Sequence, residues 1–260
     1  MLFRSAAAHL SRQPLMKTVL AGDLGGTKCR FALVTEDLQV LAVQHVATSR
    51  DRPEFLRRLA NSFAAILAAV PPGMSPPAAI GLGTAGVIPR GGRRIASAPN
   101  LPLDDFPLAD HLEHTFGLPA TLINDGRASA WGEFLRGHAR DSDPLLCLFF
   151  GTGIGIGLML GRRPLEGNTN AAGEIGHTLF RPGGRMCPCG EAGHFEAYCG
   201  GRAITERAKA ELGPAPGGGE WTVGQVAASP SAAAQAILRE AEEAACTLTA
   251  NACTLLNPGA

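Results

Sequence analysis

Three short apolar runs, "TVLAGDLGG" (18–26), "CRFALV" (29–34) and "VLAVQHV" (40–46), stand close together with turn-forming residues between them. That layout predicts consecutive strands joined by tight turns. The period then changes. In "DRPEFLRRLANSFAAILAAV" (51–70), Leu56, Leu59, Phe63, Ile66 and Val70 recur at intervals of three and four, as on the apolar face of a helix. Asp51 and Glu54 occupy capping-box positions at its start, and "PPGMSPP" (71–77) ends it. "AAIGLGTAG" (78–86) and "ATLINDG" (120–126) each read as a buried strand entering a glycine turn, the second followed by a short helix, "RASAWGEFLRG". Strands interleaved with helices in this way predict an α/β sheet with parallel crossovers.

"LLCLFFGTGIGIGLML" (145–160) restarts the scheme: strand, glycine turn, strand, as in "VLAGDLGGTKCRFALV". Two such openings predict a duplicated architecture of two α/β lobes facing each other. The N-terminal lobe covers 17–136 and the C-terminal lobe 137–260, with the boundary at the polar stretch "GHARDSD" (137–143). The last strong periodicity, Leu238, Ala241, Ala245, Leu248, Ala252 and Leu255, predicts a long helix over 231–256 with one buried face.

Composition narrows the function classes. Lysine plus arginine equals aspartate plus glutamate, 23 each, so no excess of positive charge points to nucleic acid. No apolar run approaches the roughly 20 residues that span a bilayer, which predicts a soluble chain with no membrane partner. Residues 1–16, with arginines and no acid, read as a disordered extension before the cleaner start at Met16. Cys29, Cys147, Cys246 and Cys253 lie in apolar patterns and read as small buried hydrophobes. Only Cys187, Cys189 and Cys199 cluster, which favours metal binding in a reducing, cytoplasmic setting over disulfides.

The glycine turns "GDLGGTK" (22–28), "GTAG" (83–86) and "GTGIG" (151–155) each follow a strand. Glycine lets backbone amides approach an anion, so these turns together predict a phosphate cleft, although each alone reads first as a plain hairpin. None opens a helix in the dinucleotide-binding spacing, and "GGTK" lacks the first glycine of a P-loop. Asp125 ends a strand and begins a helix: it reads as an N-cap or as a general base at the carboxyl end of a strand.

The densest chemistry lies in "GHTLFRPGGRMCPCGEAGHFE" (176–196). Thiolate and imidazole are preferred zinc ligands, and four of them close a structural site. His177, Cys187, Cys189 and His194 supply two sulfurs and two nitrogens within a loop over 177–199, with Cys199 as an alternative ligand. The remaining histidines, His9, His45, His111, His114 and His138, show no ligand spacing.

"DLGGTK" (23–28), "ASAPNLP" (96–102), "LINDGRASAWGE" (122–133), "GTGIGIG" (151–157), "NAAGEIGH" (170–177) and "CPCGEAGHFE" (187–196) occur in that order. In this combination the chain resembles the ROK family of sugar kinases, of the actin-like ATPase superfamily. The resemblance implies a two-lobed, duplicated ribonuclease H-like fold and an ATP-dependent hexose kinase of the glucokinase type, with N-acetylglucosamine and N-acetylmannosamine as neighbouring substrates. It implies Asp125 as the base that takes the proton of a hexose 6-hydroxyl. Asn100, Asn124, Glu174, His177 and Glu196 would bind sugar hydroxyls beside it. Gly25, Gly26, Thr27 and Lys28, with Thr152 and Gly153, would cradle ATP phosphates, and Asp23 would lie near Mg2+. The family's structural Zn2+ is held by one histidine and three cysteines; His194 stands here in place of the third cysteine. A homodimer or homotetramer is also implied. Past the "NP" of "LLNPGA" the family continues into a further strand, an adenosine loop and a helix, which this sequence does not contain. That absence predicts a shortened second lobe with an unpaired sheet edge, and makes a sugar-binding remnant with impaired catalysis the alternative function. The family's regulators carry an N-terminal helix-turn-helix, for which the residues before the first strand leave no room.

Overall fold

A computed structural model describes residues 17–70 and 74–260. The extension expected over 1–16 lies outside them. The chain groups into two compact units, one ending at Asn124 and the other running from Asp125 to Ala260. The helix after "LIN" therefore belongs with the second unit, ahead of the polar stretch 137–143.

The first unit contains β1 (Thr18–Leu24), β2 (Lys28–Thr35), β3 (Val40–Ala47), α1 (Arg52–Ala68), β4 (Ile80–Thr84), α2 (Leu108–Phe116) and β5 (Ala120–Asn124). Its sheet has the order β3-β2-β1-β4-β5. β1, β2 and β3 pair antiparallel through tight turns, while β4 and β5 run parallel to β1. Period-two alternation in β2 buries Cys29, Phe31 and Leu33 and leaves Lys28 and Arg30 in solvent. α1 closes that face with Phe55, Leu59, Phe63 and Ile66, and Phe63 meets Phe31 edge to face at 5.1 Å. The start of α1 realises half of the capping box. The Asp51 carboxylate accepts from Glu54 N at 2.9 Å, but the Glu54 carboxylate turns forward to Arg57 and Arg58. Two guanidinium partners outcompete a single backbone amide for it.

The register aligns Leu24, Thr84 and Asn124 across the carboxyl ends of the three parallel strands. In open α/β sheets ligands gather at this end.

The second unit opens with α3 (Asp125–Arg136), then β6 (Leu145–Phe150), β7 (Ile154–Leu160) and the short β8 (Arg163–Pro164), an antiparallel sheet in sequence order. α4 (Glu196–Cys199), α5 (Gly201–Leu212), α6 (Val223–Ala228) and α7 (Ala232–Leu256) follow. α3 lies close on β7 because Gly126 and Gly157 face one another: a Cβ on Gly126 would come within 2.6 Å of the Ile156 carbonyl oxygen. Ile204, Ala208, Val226, Ile237, Ala244 and Leu248 form the core among the later helices. The expected helix over 231–256 is present, with its buried stripe at Ala234, Ile237, Ala241, Ala244, Leu248 and Ala252. Leu255, expected on that stripe, is 83% exposed. Cys246 and Cys253, expected as buried hydrophobes, are also exposed, because the stripe turns at alanines and leaves them on the outer face.

Between β8 and α4 the chain forms a long irregular loop. Phe180 packs on Phe195 and Tyr198, with ring centroids 4.9 and 5.0 Å away. Arg181 and Arg185 from the loop and Arg207 from α5 converge on Glu240 of α7. Among the described residues no helix is long and apolar enough to cross a membrane.

Candidate active site and metal centre

In the first unit the Gly25-Gly26-Thr27 turn is fixed from the segment after β3. The Thr48 hydroxyl donates to the Gly25 carbonyl at 2.6 Å, and Thr48 N donates to the Thr27 carbonyl at 3.0 Å. Gly26 packs against Asn100, since a Cβ at 26 would stand 2.7 Å from the Asn100 Cβ. The lack of a side chain at 26 is what lets Asn100 reach the turn. Asp23, Thr27 and Lys28 are exposed around it. The first unit thus brings Asp23, Gly25, Gly26, Thr27, Lys28 and Asn100 to the sheet end where β5 delivers Asn124.

The second unit begins at Asp125, whose carboxylate accepts from Gly126 N at 2.9 Å. Glu196, first residue of α4, accepts from Ile154 N at 2.8 Å and lies against Gly153, so its carboxylate braces the β6–β7 turn. From the other side, Gly201 N and Arg202 N donate to the Gly151 and Thr152 carbonyls, both at 2.9 Å. Three bonds therefore fix the turn that carries Thr152 and Gly153. Loss of hydration pushes the Glu174 carboxyl above its usual pKa; His177 and Arg127 pull it back, and the negative charges of Glu196 and Asp125 push it further up. Asp125, Glu196 and His177 are thus each close enough to Glu174 for their charge to act on it. Three carboxylates and an imidazole suit a ligand rich in hydroxyls, each of which can donate a hydrogen bond, and one acid can take a proton.

Arg127 is the residue that pattern reading misses. It lies two positions after Asp125 on α3, where an arginine reads as solvated surface, yet it is only 4% exposed. Its guanidinium donates to Asn170 Oδ1 at 2.7 Å, to the Asn170 carbonyl at 2.8 Å and to the Ala172 carbonyl at 3.3 Å. Burial lowers its pKa, while Glu174 and Glu166 support its charge. The signal available in the sequence is the short distance from Arg127 to a candidate base.

The cysteine–histidine loop brings the ligand atoms of His177, Cys187, Cys189 and His194 within 4.8 Å of one another. His177 Nδ1 lies 3.5 Å from Cys187 Sγ, and His194 Nδ1 lies 3.2 Å from Cys189 Sγ. Ligand separations in a tetrahedral zinc site are about 3.3–3.8 Å, given Zn–S near 2.3 Å and Zn–N near 2.0 Å. The donor set fits such an ion, and the two sulfur–nitrogen spacings lie in or next to that range. Burial pushes the Cys187 thiol up to about 11, so an incoming cation must displace its proton. Cys199, the alternative ligand, is outside the cluster: its buried thiol donates to the Phe195 carbonyl.

The chain is similar in sequence and fold to known sugar kinases. The chain is 31% identical over 201 residues to the glucokinase of Streptomyces coelicolor, covering 77% of this chain and 62% of that protein. It is 37% identical over 187 residues to an N-acetylmannosamine kinase of Yersinia pestis, covering 71% and 62%. It therefore spans less than two thirds of the length of these curated relatives. Among solved structures, the ROK hexokinase of Thermus thermophilus superimposes with a TM-score of 0.80 at 30% identity, covering 93% of this chain and 79% of that one. A ROK glucokinase of Streptomyces griseus, solved with glucose and AMPPNP, gives a TM-score of 0.75 at 28% identity over 93% and 80%. The ROK family pattern matches residues 19–260, and the chain belongs to the ROK family.

Proposed function

We propose that this chain acts as an ATP-dependent hexose kinase. What supports the reading is that Asp125, Glu196 and His177 each act through their charge on Glu174, in the unit that also holds the braced Thr152-Gly153 turn. In the proposed step the hexose 6-oxygen forms a bond to the γ-phosphorus of ATP, the bond to the ADP oxygen breaks, and the hydroxyl proton passes to the Asp125 carboxylate. Phosphoryl transfer depends mostly on positioning and charge stabilisation, so one placed carboxylate and fixed backbone amides suffice from the protein. Glu174, Glu196 and His177 of the second unit hold sugar hydroxyls in this reading. Within the second unit the Thr152–Gly153 turn receives phosphate in this reading; within the first, the Gly25–Lys28 turn offers amides to an anion, with Asp23 beside it for Mg2+.

His177, Cys187, Cys189 and His194 would hold a structural zinc ion, which supplies a rigid clamp on the loop rather than Lewis-acid chemistry at the sugar. His177, at the inner end of that clamp, is then fixed three residues from Glu174.

The identity to N-acetylmannosamine kinases supports a second reading in which the hexose carries a 2-acetamido group. A coupled assay of ADP release with glucose, mannose, fructose, N-acetylglucosamine and N-acetylmannosamine separates the two. Turnover with any of them supports a kinase, and the preferred sugar chooses the class. Calorimetric binding of a hexose with no turnover at saturating ATP supports a sugar-binding protein and overturns the kinase reading.

A further inference from the structure

We propose that Arg127 is a positioning residue that latches the Glu174 loop to the helix carrying Asp125, and so sets the affinity for sugar. This rests on the kinase reading of the same site. The latch joins two stretches more than forty positions apart in sequence: α3, which begins with Asp125, and residues 170–174, which lead into Glu174. Three bonds run from one guanidinium to that loop, two of them to main-chain carbonyls. A fork of this kind fixes orientation as well as distance, which an ammonium cannot do.

The loop needs an external tie. Asn170 holds a left-handed backbone (φ 63°), and Gly173 follows at φ 95°. Asparagine tolerates that conformation without enforcing it. Within the segment, Ala172 N donates to Glu166 O at 3.1 Å and Ile175 N to Gly173 O at 2.6 Å, both local turns that give no fixed distance to α3. Arg127 supplies that distance. Its burial raises the cost of losing the contacts, because a desolvated guanidinium must keep its acceptors. Its charge and that of Glu174 also favour each other's ionised form.

The test compares Arg127→Met, Arg127→Lys and Asn170→Ala with the parent chain. Hydrogen exchange read by mass spectrometry on the 166–177 segment reports the latch without reference to activity. The expected result is faster exchange there in Arg127→Met and Asn170→Ala, with α5 and α7 unchanged. Sugar binding by calorimetry is expected to weaken about tenfold in Arg127→Met, the loss of a charge-assisted bond. Arg127→Lys should fall between Met and parent. In steady state the sugar KM should rise while the ATP KM stays within twofold, whereas general misfolding would lower the active fraction and leave both KM values alone. Unchanged exchange in Arg127→Met overturns the latch, and altered exchange with unaltered sugar affinity overturns its positioning role. A parent chain that binds no hexose overturns the kinase reading and this one together; a parent that binds hexose while Arg127→Met binds it equally overturns this one alone.

Discussion

Replacing Gly126 with alanine probes the contact that seats Asp125. The added Cβ would stand 2.6 Å from the Ile156 carbonyl oxygen and 3.1 Å from its carbon. Carbon–oxygen contacts close to about 3.3 Å at best, so α3 and β7 must part by roughly 0.7 Å. Both partners are backbone, and neither can swing away. Overpacking of this kind costs about 1–3 kcal/mol, offset by the 0.5–1 kcal/mol that alanine gains over glycine in a helix. Gly132, on the same helix, has nothing within 4 Å of its virtual Cβ, so Gly132→Ala keeps the gain without the cost. The two variants should therefore differ by about 1–3 kcal/mol, a spread of roughly 3–10 °C in melting temperature by calorimetry. The shift also moves the neighbouring Asp125, and displacements near 1 Å cost about a hundredfold in rate, so Gly126→Ala should lose at least about tenfold in turnover. Gly132→Ala should lose none. Gly126→Ala melting with Gly132→Ala, or turning over like the parent, would refute the close α3–β7 contact as the seat of the base.

The metal centre makes a paired prediction: purified chain carries about one zinc per molecule by elemental analysis, His194→Ala lowers that content, and Cys199→Ser leaves it unchanged. Equal loss in both variants would show that the loop binds its ion differently. In the first unit the Arg93 guanidinium holds Glu113 down to about 2, with a backbone bond from Ala120 assisting. A depressed carboxyl pKa contributes stability that is present above the unfolded value near 4.3 and is lost as pH falls towards 2. The melting difference between parent and Glu113→Gln should therefore be largest at neutral pH and shrink between about pH 4.3 and 2; a difference that grows on acidification contradicts the pairing.

Much of this layout is legible in the residue pattern because the physics is local. β1 to β3 and α1 announce themselves through periodicity, and Asp51 announces the start of α1. Metal-ligand spacing in the sequence groups His177, Cys187, Cys189 and His194 in one loop, and their ligand atoms do lie together. What escapes depends on contacts distant in sequence. The alanine-rich α7 offers little contrast between its faces, so the expected stripe drifts and Leu255 falls on the outside. Glu54 has two nearby arginines competing for it, which the capping pattern ignores. The acceptors of Arg127, Asn170 and Ala172, arrive from beyond β8, and no window around position 127 contains them. Cys199 belongs to the same run as Cys187 and Cys189, but the short turn of α4 directs its thiol to Phe195.

Proton transfer to Asp125 is the centre of the account. Asp125→Asn keeps the shape of that side chain and removes its basicity, so hexose binding should survive while general-base catalysis, worth about a hundredfold to ten-thousandfold, is lost. The decisive measurement is hexose-dependent ADP release by Asp125→Asn beside calorimetric hexose affinity of the same protein. The account predicts affinity within a few-fold of the parent and turnover lower by about a hundredfold or more; turnover within a few-fold of the parent would contradict it.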